Sequence, residues 1–280
     1  MFYTSPRRII LTCLCAALAG TLHAADDGVI AINQDVALAG NAIPGDTPGF
    51  PVTISKSGSY RLTSNLTVPD ADTTAIQINA DSVTLDLNGF SILGPVVCTT
   101  RPTACPAPGK GIGVSAGGAQ AFAPKAVRVT NGSVRGMGGV GIVLGGSGSF
   151  VDKVVVYGNA GGGMSVTGGV TGSAATQNGS FGMIATMVRD SSALENVGDG
   201  IILDISGGVA TGNVSSLNGG FGIYVPFGTA TNNTLFLNTS LKISATYPNI
   251  VTNNTIINSD ASAIQTNKTD CITANNTTHP

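Results

Sequence analysis

The 280-residue chain has few charged side chains: Asp, Glu, Lys and Arg make up 10% of it, and the formal net charge is −2. Nucleic-acid-binding surfaces need clustered basic residues, and no such cluster occurs, so we expect no nucleic-acid partner. Tryptophan is absent, and one of only two histidines, His279, lies next to the last residue. The sequence therefore predicts neither a Ser-His-Asp or Cys-His catalytic site nor a histidine-based metal centre.

Long apolar runs are scarce too, and the longest one lies at the N-terminus. Arg7 and Arg8 precede the apolar stretch 9–19, which is too short to span a bilayer, and small residues follow at Ala24 and Ala25. This pattern is typical of a secretory signal peptide. We expect residues 1–24 to be removed by cleavage near Ala24 or Ala25, and the product to be secreted or periplasmic, without a membrane span.

Cysteine is rare, and three of the five cysteines lie beyond this leader. Cys98 and Cys105 enclose a loop that contains proline, and in an oxidising compartment such a pair is expected to form a disulfide. Cys271 is left over. It either lies buried in the last part of the fold or replaces a partner in an alternative bridge.

Glycine, in contrast, is abundant, with 39 residues, and it recurs within a repeated motif. The motif is an Asn, four residues and then a large apolar anchor that usually follows a Gly. The anchors are 19, 18, 22, 20 and 21 residues apart: Met164, Met183, Ile201, Ile223, Ile243 and Ile264. A period near 20 indicates a solenoid, and short apolar runs between Gly, Ser, Thr and Asn indicate strands. Three strands per period predict a parallel β-helix.

A second set of asparagines precedes or ends short strands: Asn88, Asn131, Asn213, Asn233, Asn254 and Asn276. Stacked inward-facing asparagines can bond to one another and satisfy the backbone groups of tight turns. We therefore predict a ladder of these side chains. The alternative is that Asn merely favours turns with left-handed backbone geometry.

Residues 83–94 (VTLDLNGFSILG), residues 129–137 (VTNGSVRGM) and the Asn repeats resemble bacterial secreted right-handed parallel β-helix repeat proteins of the pectate-lyase-like superfamily. The resemblance covers about residues 50 to 270. It implies an all-β, single-stranded right-handed parallel β-helix of about nine or ten coils over residues 51–280, with residues 25–50 forming an N-terminal arm or cap. Two insertions, 94–110 and 115–124, project from the early coils. Because the superfamily includes lyases, hydrolases, epimerases and adhesins, the resemblance predicts the fold better than the activity.

Charged residues gather in one coil, and they supply the catalytic candidates Asp199, Asp204 and Arg189. A polygalacturonase-like arrangement is matched at Asp199 but fails at the equivalent positions one and two coils further on. Asp199 and Asp204 would be about 16 Å apart on an extended path, too far for an acid and a nucleophile. The alternative is that these residues are solvated turn positions.

Aromatic residues flank Asp199, and they supply the ligand-binding candidates Phe181, Asp199, Phe221 and Tyr224. Aromatic rings beside an acid are suited to holding a sugar, although the two phenylalanines could instead stack on each other to close a turn. No metal or other cofactor is predicted, and Ca²⁺, although possible, lacks support because it needs several converging oxygens. The sequence thus favours a secreted module that binds polysaccharide or cell-surface glycan without catalysis. The alternatives are a lyase or hydrolase acting on acidic glycans and a structural or adhesin-like solenoid.

Overall fold

A computed structural model describes residues 28–40, 43, 45–100, 103–117, 122–204, 207–238, 243–245, 249–257, 264–266 and 271–279. The predicted signal peptide lies outside these residues. No helix in these ranges combines the length and the apolar character needed to cross a membrane.

Almost all regular structure consists of short β-strands. In chain order the elements are β1 (Ile30–Ile32), α1 (Gln34–Ala39), β2 (Val52–Ile54), β3 (Gly58–Leu62), β4 (Leu66–Thr67), β5 (Ile76–Ile78), β6 (Val83–Asp86), β7 (Ser91–Leu93), β8 (Val114–Ala116), β9 (Arg128–Arg135), β10 (Ile142–Leu144), β11 (Phe150–Tyr157), β12 (Met164–Thr171), β13 (Ala174–Thr176), β14 (Met183–Arg189), β15 (Ser192–Leu194), β16 (Ile201–Leu203), β17 (Gly208–Thr211), β18 (Val214–Ser216), β19 (Ile223–Val225), β20 (Gly228–Thr231), β21 (Thr234–Phe236), β22 (Ile243–Ala245), β23 (Asn249–Thr252), β24 (Thr255–Ile257), β25 (Ile264–Thr266), β26 (Ile272–Ala274) and β27 (Thr277–His279).

The strands form three parallel faces. Most strands pair with an equivalent about 20 residues further on, as Met183 pairs with Ile201 and Ile201 with Ile223, whereas the insertions widen this spacing in the early coils, as between Ile76 and Val114. One circuit of the three faces is a coil. Face A contains β2, β5, β8, β10, the first halves of β12 and β14, β16, β19, β22 and β25. Face B contains β1, β3, β6, the first halves of β9 and β11, the second halves of β12 and β14, β17, β20, β23 and β26. Face C contains β4, β7, the second halves of β9 and β11, β13, β15, β18, β21, β24 and β27. The predicted parallel β-helix is confirmed.

Along most strands whose side chains are described, alternate side chains point into the solenoid and build one core along its axis. In β16 Ile201 and Leu203 are buried, whereas Ile202 between them is partly exposed. The motif anchors Met164, Met183, Ile201 and Ile223 are fully buried and stack on one another through the strand register. Burial of these apolar side chains, each contributing about 1.5–3 kcal/mol, is the main stabilising term.

The motif asparagines form a ladder at the corner between faces C and A. The Nδ2 atom of each donates to the Oδ1 atom of the next at 2.9–3.0 Å, along Asn159, Asn178, Asn196, Asn218 and Asn238. Each Oδ1 also accepts the backbone N–H of the preceding asparagine at 3.0–3.2 Å. All five side chains are buried, and the ladder therefore satisfies turn groups that water cannot reach.

A second ladder lies at the corner between faces B and C. It contains Asn213, Asn233, Asn254 and Asn276, with Nδ2 to Oδ1 distances of 2.9–3.0 Å. Asn88 and Asn131 do not belong to it, and that part of the prediction is wrong. Both are exposed and adopt positive φ values of 51° and 56°. The preference of Asn for left-handed turn geometry explains these two residues.

Glycine precedes the anchors because the ladder leaves no room there for a side chain. A Cβ atom added to Gly200 would collide with Ser215 Oγ and lie 2.7 Å from Asn218 Nδ2. The same addition at Gly182 would lie 2.8 Å from the Nδ2 atom of Asn196. The Asn and the Gly of the motif are therefore coupled, since they occupy the same space in neighbouring coils.

The segment before face A begins adds one strand and one short helix to the solenoid. β1 pairs with β3 in parallel register, Ile30 with Tyr60. Helix α1 begins after Asn33, whose side chain accepts the Val36 N–H at 2.9 Å, an ordinary N-cap. Ala37 is fully buried in the common core.

Candidate functional site

The candidate ligand-binding residues lie on face A in neighbouring coils. Phe181, Asp199 and Phe221 each stand two residues before a face A strand, and the strand register places them above one another. Tyr224 is the outward residue of β19, paired with Ile202 of β16. Because coils are about 4.8 Å apart, the four predicted residues share one surface.

Phe221 and Tyr224 form a stacked aromatic pair. Their ring centroids are 5.5 Å apart and the ring planes make an angle of 19°. Both side chains are partly exposed. The pair therefore presents an apolar aromatic surface to solvent on face A.

Phe181 packs against a glycine, whereas the alternative interpretation predicted that it would stack on Phe221. Its ring lies over Gly162 of the preceding coil, where an added Cβ would come within 2.5 Å and 2.6 Å of two ring atoms. The stacking partner of Phe221 is Tyr224. The aromatic groups thus occupy two places on the face, with Asp199 in the coil between them.

Asp199 is tied to the backbone beneath the aromatic pair. Its Oδ1 atom accepts the N–H of Phe221 at 2.6 Å. The neighbouring Gly220 has no side chain, and a Cβ atom there would collide with the same oxygen. The carboxylate therefore fixes the backbone of Phe221 and positions its ring.

The charged residues of this coil are distributed over its corners. Arg189 ends β14 at the corner between faces B and C, while Asp204 directly follows β16. Asp199 and Asp204 flank β16 at opposite ends, and neither lies on the same corner as Arg189. The catalytic candidates are not brought into one cluster. Within the described ranges, no group of three or more His, Cys, Asp or Glu residues is placed to hold a metal ion.

The predicted disulfide between Cys98 and Cys105 is present. We call residues 94–110 the disulfide loop, of which Arg101 and Pro102 lie outside the described residues. The loop runs along the corner between faces C and A: the Cys105 Sγ lies 3.7 Å from the Asn159 carbonyl oxygen, and Thr103 donates to the Glu195 carbonyl at 2.7 Å. It therefore borders face A beside the candidate residues. The sequence carries no signal for this packing, because Thr103 and Glu195 are 92 positions apart.

A second exposed tyrosine lies on face C. Tyr157 is 37% exposed, and the Arg135 guanidinium carbon lies 5.9 Å from its ring centroid, within cation–π range. This tyrosine lies on a different face from the aromatic pair and three coils earlier in the strand register.

Among the described residues, the pKa is shifted for Tyr60 and Asp70. Both lie in the first two coils, away from the aromatic residues of face A. Burial raises the pKa of the Tyr60 hydroxyl. Hydrogen bonds from the Thr73 hydroxyl and then the Asp72 amide lower the pKa of Asp70. Both have local structural causes.

A family model supports this architecture. Residues 111–239, which contain the candidate face A residues, match the family model described as right handed beta helix region. No match was found among curated proteins. Two solved structures from Azotobacter vinelandii are similar to the chain. The A-module of mannuronan C-5 epimerase AlgE4 has 16% identity and a TM-score of 0.48, and that of AlgE6 has 12% and 0.43. Each alignment covers 80% of this chain and 87% of the A-module. The chain is a right-handed parallel β-helix protein whose residues 111–239 form the matched β-helix region.

Proposed function

We propose that this protein is an exported β-helix module that binds a polysaccharide or cell-surface glycan on face A without turning it over. The observation that carries the proposal is the partly exposed stack of Phe221 on Tyr224. Flat aromatic surfaces pack well against other rings with apolar faces, and a sugar ring has such a face. Phe181 extends the same surface along the axis of the solenoid.

The backbone of this surface is held by pairing and hydrogen bonds that need no ligand. Tyr224 is on a strand that pairs with its neighbours, and the Asp199 carboxylate holds the Phe221 amide. The disulfide loop borders this face through the contact of Thr103 with Glu195. Pre-formed sites lose less conformational entropy on binding, which favours affinity.

Binding without turnover is supported by the separation of the acidic residues. Glycoside hydrolysis uses two carboxylates about 5–9.5 Å apart. Asp199 and Asp204 flank β16 at its two ends, about 16 Å apart along an extended path. Arg189 lies at another corner, so it does not complete a lyase site with either acid.

Export is supported by two observations. The pair Cys98–Cys105 forms a disulfide, and such bonds persist in oxidising compartments. The basic and apolar N-terminus has the pattern of a signal peptide. Intact mass measurement of the protein recovered outside the cytoplasm tests this part, since cleavage would place the new N-terminus near Ala25 or Asp26.

Calorimetric titration and affinity electrophoresis against a panel of neutral and acidic polysaccharides test the binding proposal. We expect Tyr224→Ala to lower the affinity about tenfold or more, because it removes half of the aromatic stack. Tyr157→Ala, an exposed tyrosine on face C, is the matched control and should bind normally.

Three other outcomes would contradict the proposal. Release of unsaturated or reducing sugars during the assay would indicate a lyase or a hydrolase. Absence of binding to every polymer would favour the structural or adhesin-like alternative. Equal loss of affinity in both tyrosine variants would move the site away from face A.

A further inference from the structure

We infer that the glycan bound on face A is a linear chain of sugars whose ring substituents are all equatorial, such as a β-1,4-glucan or a β-1,4-xylan. This inference rests on the proposed function and adds the stereochemistry of the ligand to it. It follows from the side chains that lie between the aromatic residues of the face.

The outward side chains between Phe181 and the aromatic pair are isoleucines. Ile184 lies in the first half of β14 and Ile202 in the middle of β16, and the strand register pairs Ile184 with Ile202 and Ile202 with Tyr224. All three side chains are partly exposed, whereas their neighbours within the strands are buried. We call Ile184, Ile202 and Tyr224 the apolar floor. Since neighbouring coils are about 4.8 Å apart, the floor is a continuous strip about 10 Å long.

The phenylalanines stand beside this floor two coils apart. The coil of Asp199 separates Phe181 from Phe221. This corresponds to about 10 Å along the axis of the solenoid. The ring of Phe181 lies over Gly162, one coil further from Phe221, which widens the separation. A ligand that uses the whole surface therefore places at least two successive sugar rings on it.

Two successive rings of such a chain present opposite faces to the protein, because each ring of a β-1,4-linked chain is turned over relative to the one before. A sugar with only equatorial substituents is apolar on both faces, since its hydroxyl groups extend along the edge of the ring. A sugar with one axial hydroxyl group is apolar on one face only. Every second ring of a β-1,4-mannan would thus direct a hydroxyl group at the floor. Burial of a hydroxyl group against carbon atoms without a hydrogen bond weakens binding about tenfold.

The position of Asp199 suits a hydroxyl group at the edge of a ring. Asp199 precedes β16 by two residues, so its carboxylate stands beside the floor, where Oδ1 accepts the Phe221 amide at 2.6 Å. An equatorial hydroxyl group extends in the plane of the ring and can reach a carboxylate at the side of the floor. An axial hydroxyl group points into the floor itself. The geometry therefore favours equatorial groups at both places.

The test compares β-1,4-linked oligosaccharides of equal length by calorimetric titration. Cellohexaose and xylohexaose have only equatorial ring substituents, whereas mannohexaose differs from cellohexaose in the configuration of one carbon atom in each ring. We expect cellohexaose or xylohexaose to bind at least about tenfold more tightly than mannohexaose. Oligogalacturonate, which also carries axial groups, is titrated at physiological ionic strength and should be a weaker ligand than the preferred neutral chain.

The variant Ile202→Ser isolates the contribution of the floor. A serine hydroxyl in the middle of the strip can bond to an axial hydroxyl group, so the preference for cellohexaose over mannohexaose should fall about threefold or more. Ile202→Val keeps the strip apolar and should retain the preference. Ile250→Ser is the matched control, because Ile250 is an outward residue of face B and is 42% exposed. The ratio of two affinities measured on one variant does not depend on the fraction of protein that is folded.

The outcomes separate this inference from the proposed function. Mannohexaose or oligogalacturonate that binds as tightly as cellohexaose and xylohexaose, and that loses affinity in Tyr224→Ala, overturns the equatorial ligand but supports face A as the site. An unchanged preference in Ile202→Ser overturns the role of the floor. Failure of these oligosaccharides and of every polysaccharide in the panel to bind overturns the proposed function itself.

Discussion

The Asp199 carboxylate accepts a 2.6 Å hydrogen bond from the backbone amide of Phe221, its equivalent in the next coil. The two residues occupy the same position of the repeat, yet one supplies the support and the other the aromatic surface. This hydrogen bond explains why a single acid occupies an otherwise apolar column. The explanation does not require a catalytic partner for Asp199. The role of this hydrogen bond can be tested by substitution of Asp199.

Asp199→Ala should lower both stability and glycan affinity. The change leaves the Phe221 amide without its acceptor, which costs about 1–2 kcal/mol in free energy of unfolding. Asp199→Asn retains the acceptor and should unfold near the wild-type urea concentration. Equilibrium urea unfolding and calorimetric titration measure the two effects. Unchanged affinity in Asp199→Ala would remove Asp199 from the proposed site.

Asn196→Ala should be strongly destabilising. Asn196 accepts from Asn178 and donates to Asn218, so its loss leaves buried polar groups on both sides unpaired. We expect the free energy of unfolding to fall by about 3 kcal/mol. The exposed Asn79, outside both ladders, provides the comparison, and Asn79→Ala should remain within about 0.5 kcal/mol of wild type. Equal effects in the two variants would mean that the ladder does not contribute.

Gly200→Ala should destabilise the protein although alanine is small. The added methyl group would overlap Ser215 Oγ and approach the Asn218 amide, and overpacking of this kind costs about 1–3 kcal/mol. The control is Gly158→Asn. Gly158 has a φ of 63° and no atom within 4 Å of an added Cβ, and Asn tolerates this geometry. Thermal unfolding, followed by circular dichroism, measures the stability of both variants. A larger loss of stability in Gly158→Asn than in Gly200→Ala would contradict the prediction.

Leu217→Asn should stabilise the protein. Leu217 is 43% exposed and holds a φ of 56°, a conformation that disfavours ordinary L-residues by about 1–2 kcal/mol. Asn accepts this geometry with less strain, so we expect a gain of about 0.5–1 kcal/mol in urea unfolding. Leu217→Ala is the matched variant: it removes the same apolar surface but keeps the strain. If both variants behave alike, the backbone conformation is not the cause.

The double substitution Cys98→Ser with Cys105→Ser should release the disulfide loop and leave the coils intact. The bridge closes a short segment around the pairing of Thr99 with Ala104, so it constrains this segment rather than the core. Hydrogen exchange at the Thr99 and Gly109 amides should accelerate, whereas exchange at the Asn196 amide should not. Faster exchange along the asparagine ladder would show that the loop supports the coils.

The repeat made most of the fold predictable, because an anchor that recurs about every 20 residues must face the same core in each coil. The same spacing placed Phe181, Asp199 and Phe221 in one column. It could not assign Asn88 and Asn131, since asparagine suits both a ladder and a left-handed turn that lies one residue earlier. At these two positions the preference of asparagine for a left-handed backbone, and not the repeat, accounts for the residue.

Structural features that occur only once could not be predicted from the repeat. The contact of Thr103 with Glu195 joins an inserted loop to a coil 92 residues away, and no periodicity reports it. Arg189 and Asp199 are only ten positions apart in the sequence. One coil of about 20 residues includes all three corners, so these two residues lie at different corners. Closeness in sequence therefore did not bring these two charges together.

Both asparagine ladders donate in one direction, from each amide to the next one toward the C-terminal end. An inserted copy of a whole circuit would receive a donor from above and offer one below, so the bonding chain would simply become longer. Removal of half a circuit would interrupt both chains at once. Coils that carry the ladders can therefore be gained or lost as complete circuits without leaving an asparagine unpaired, whereas insertions such as 94–110 lengthen the chain outside both ladders.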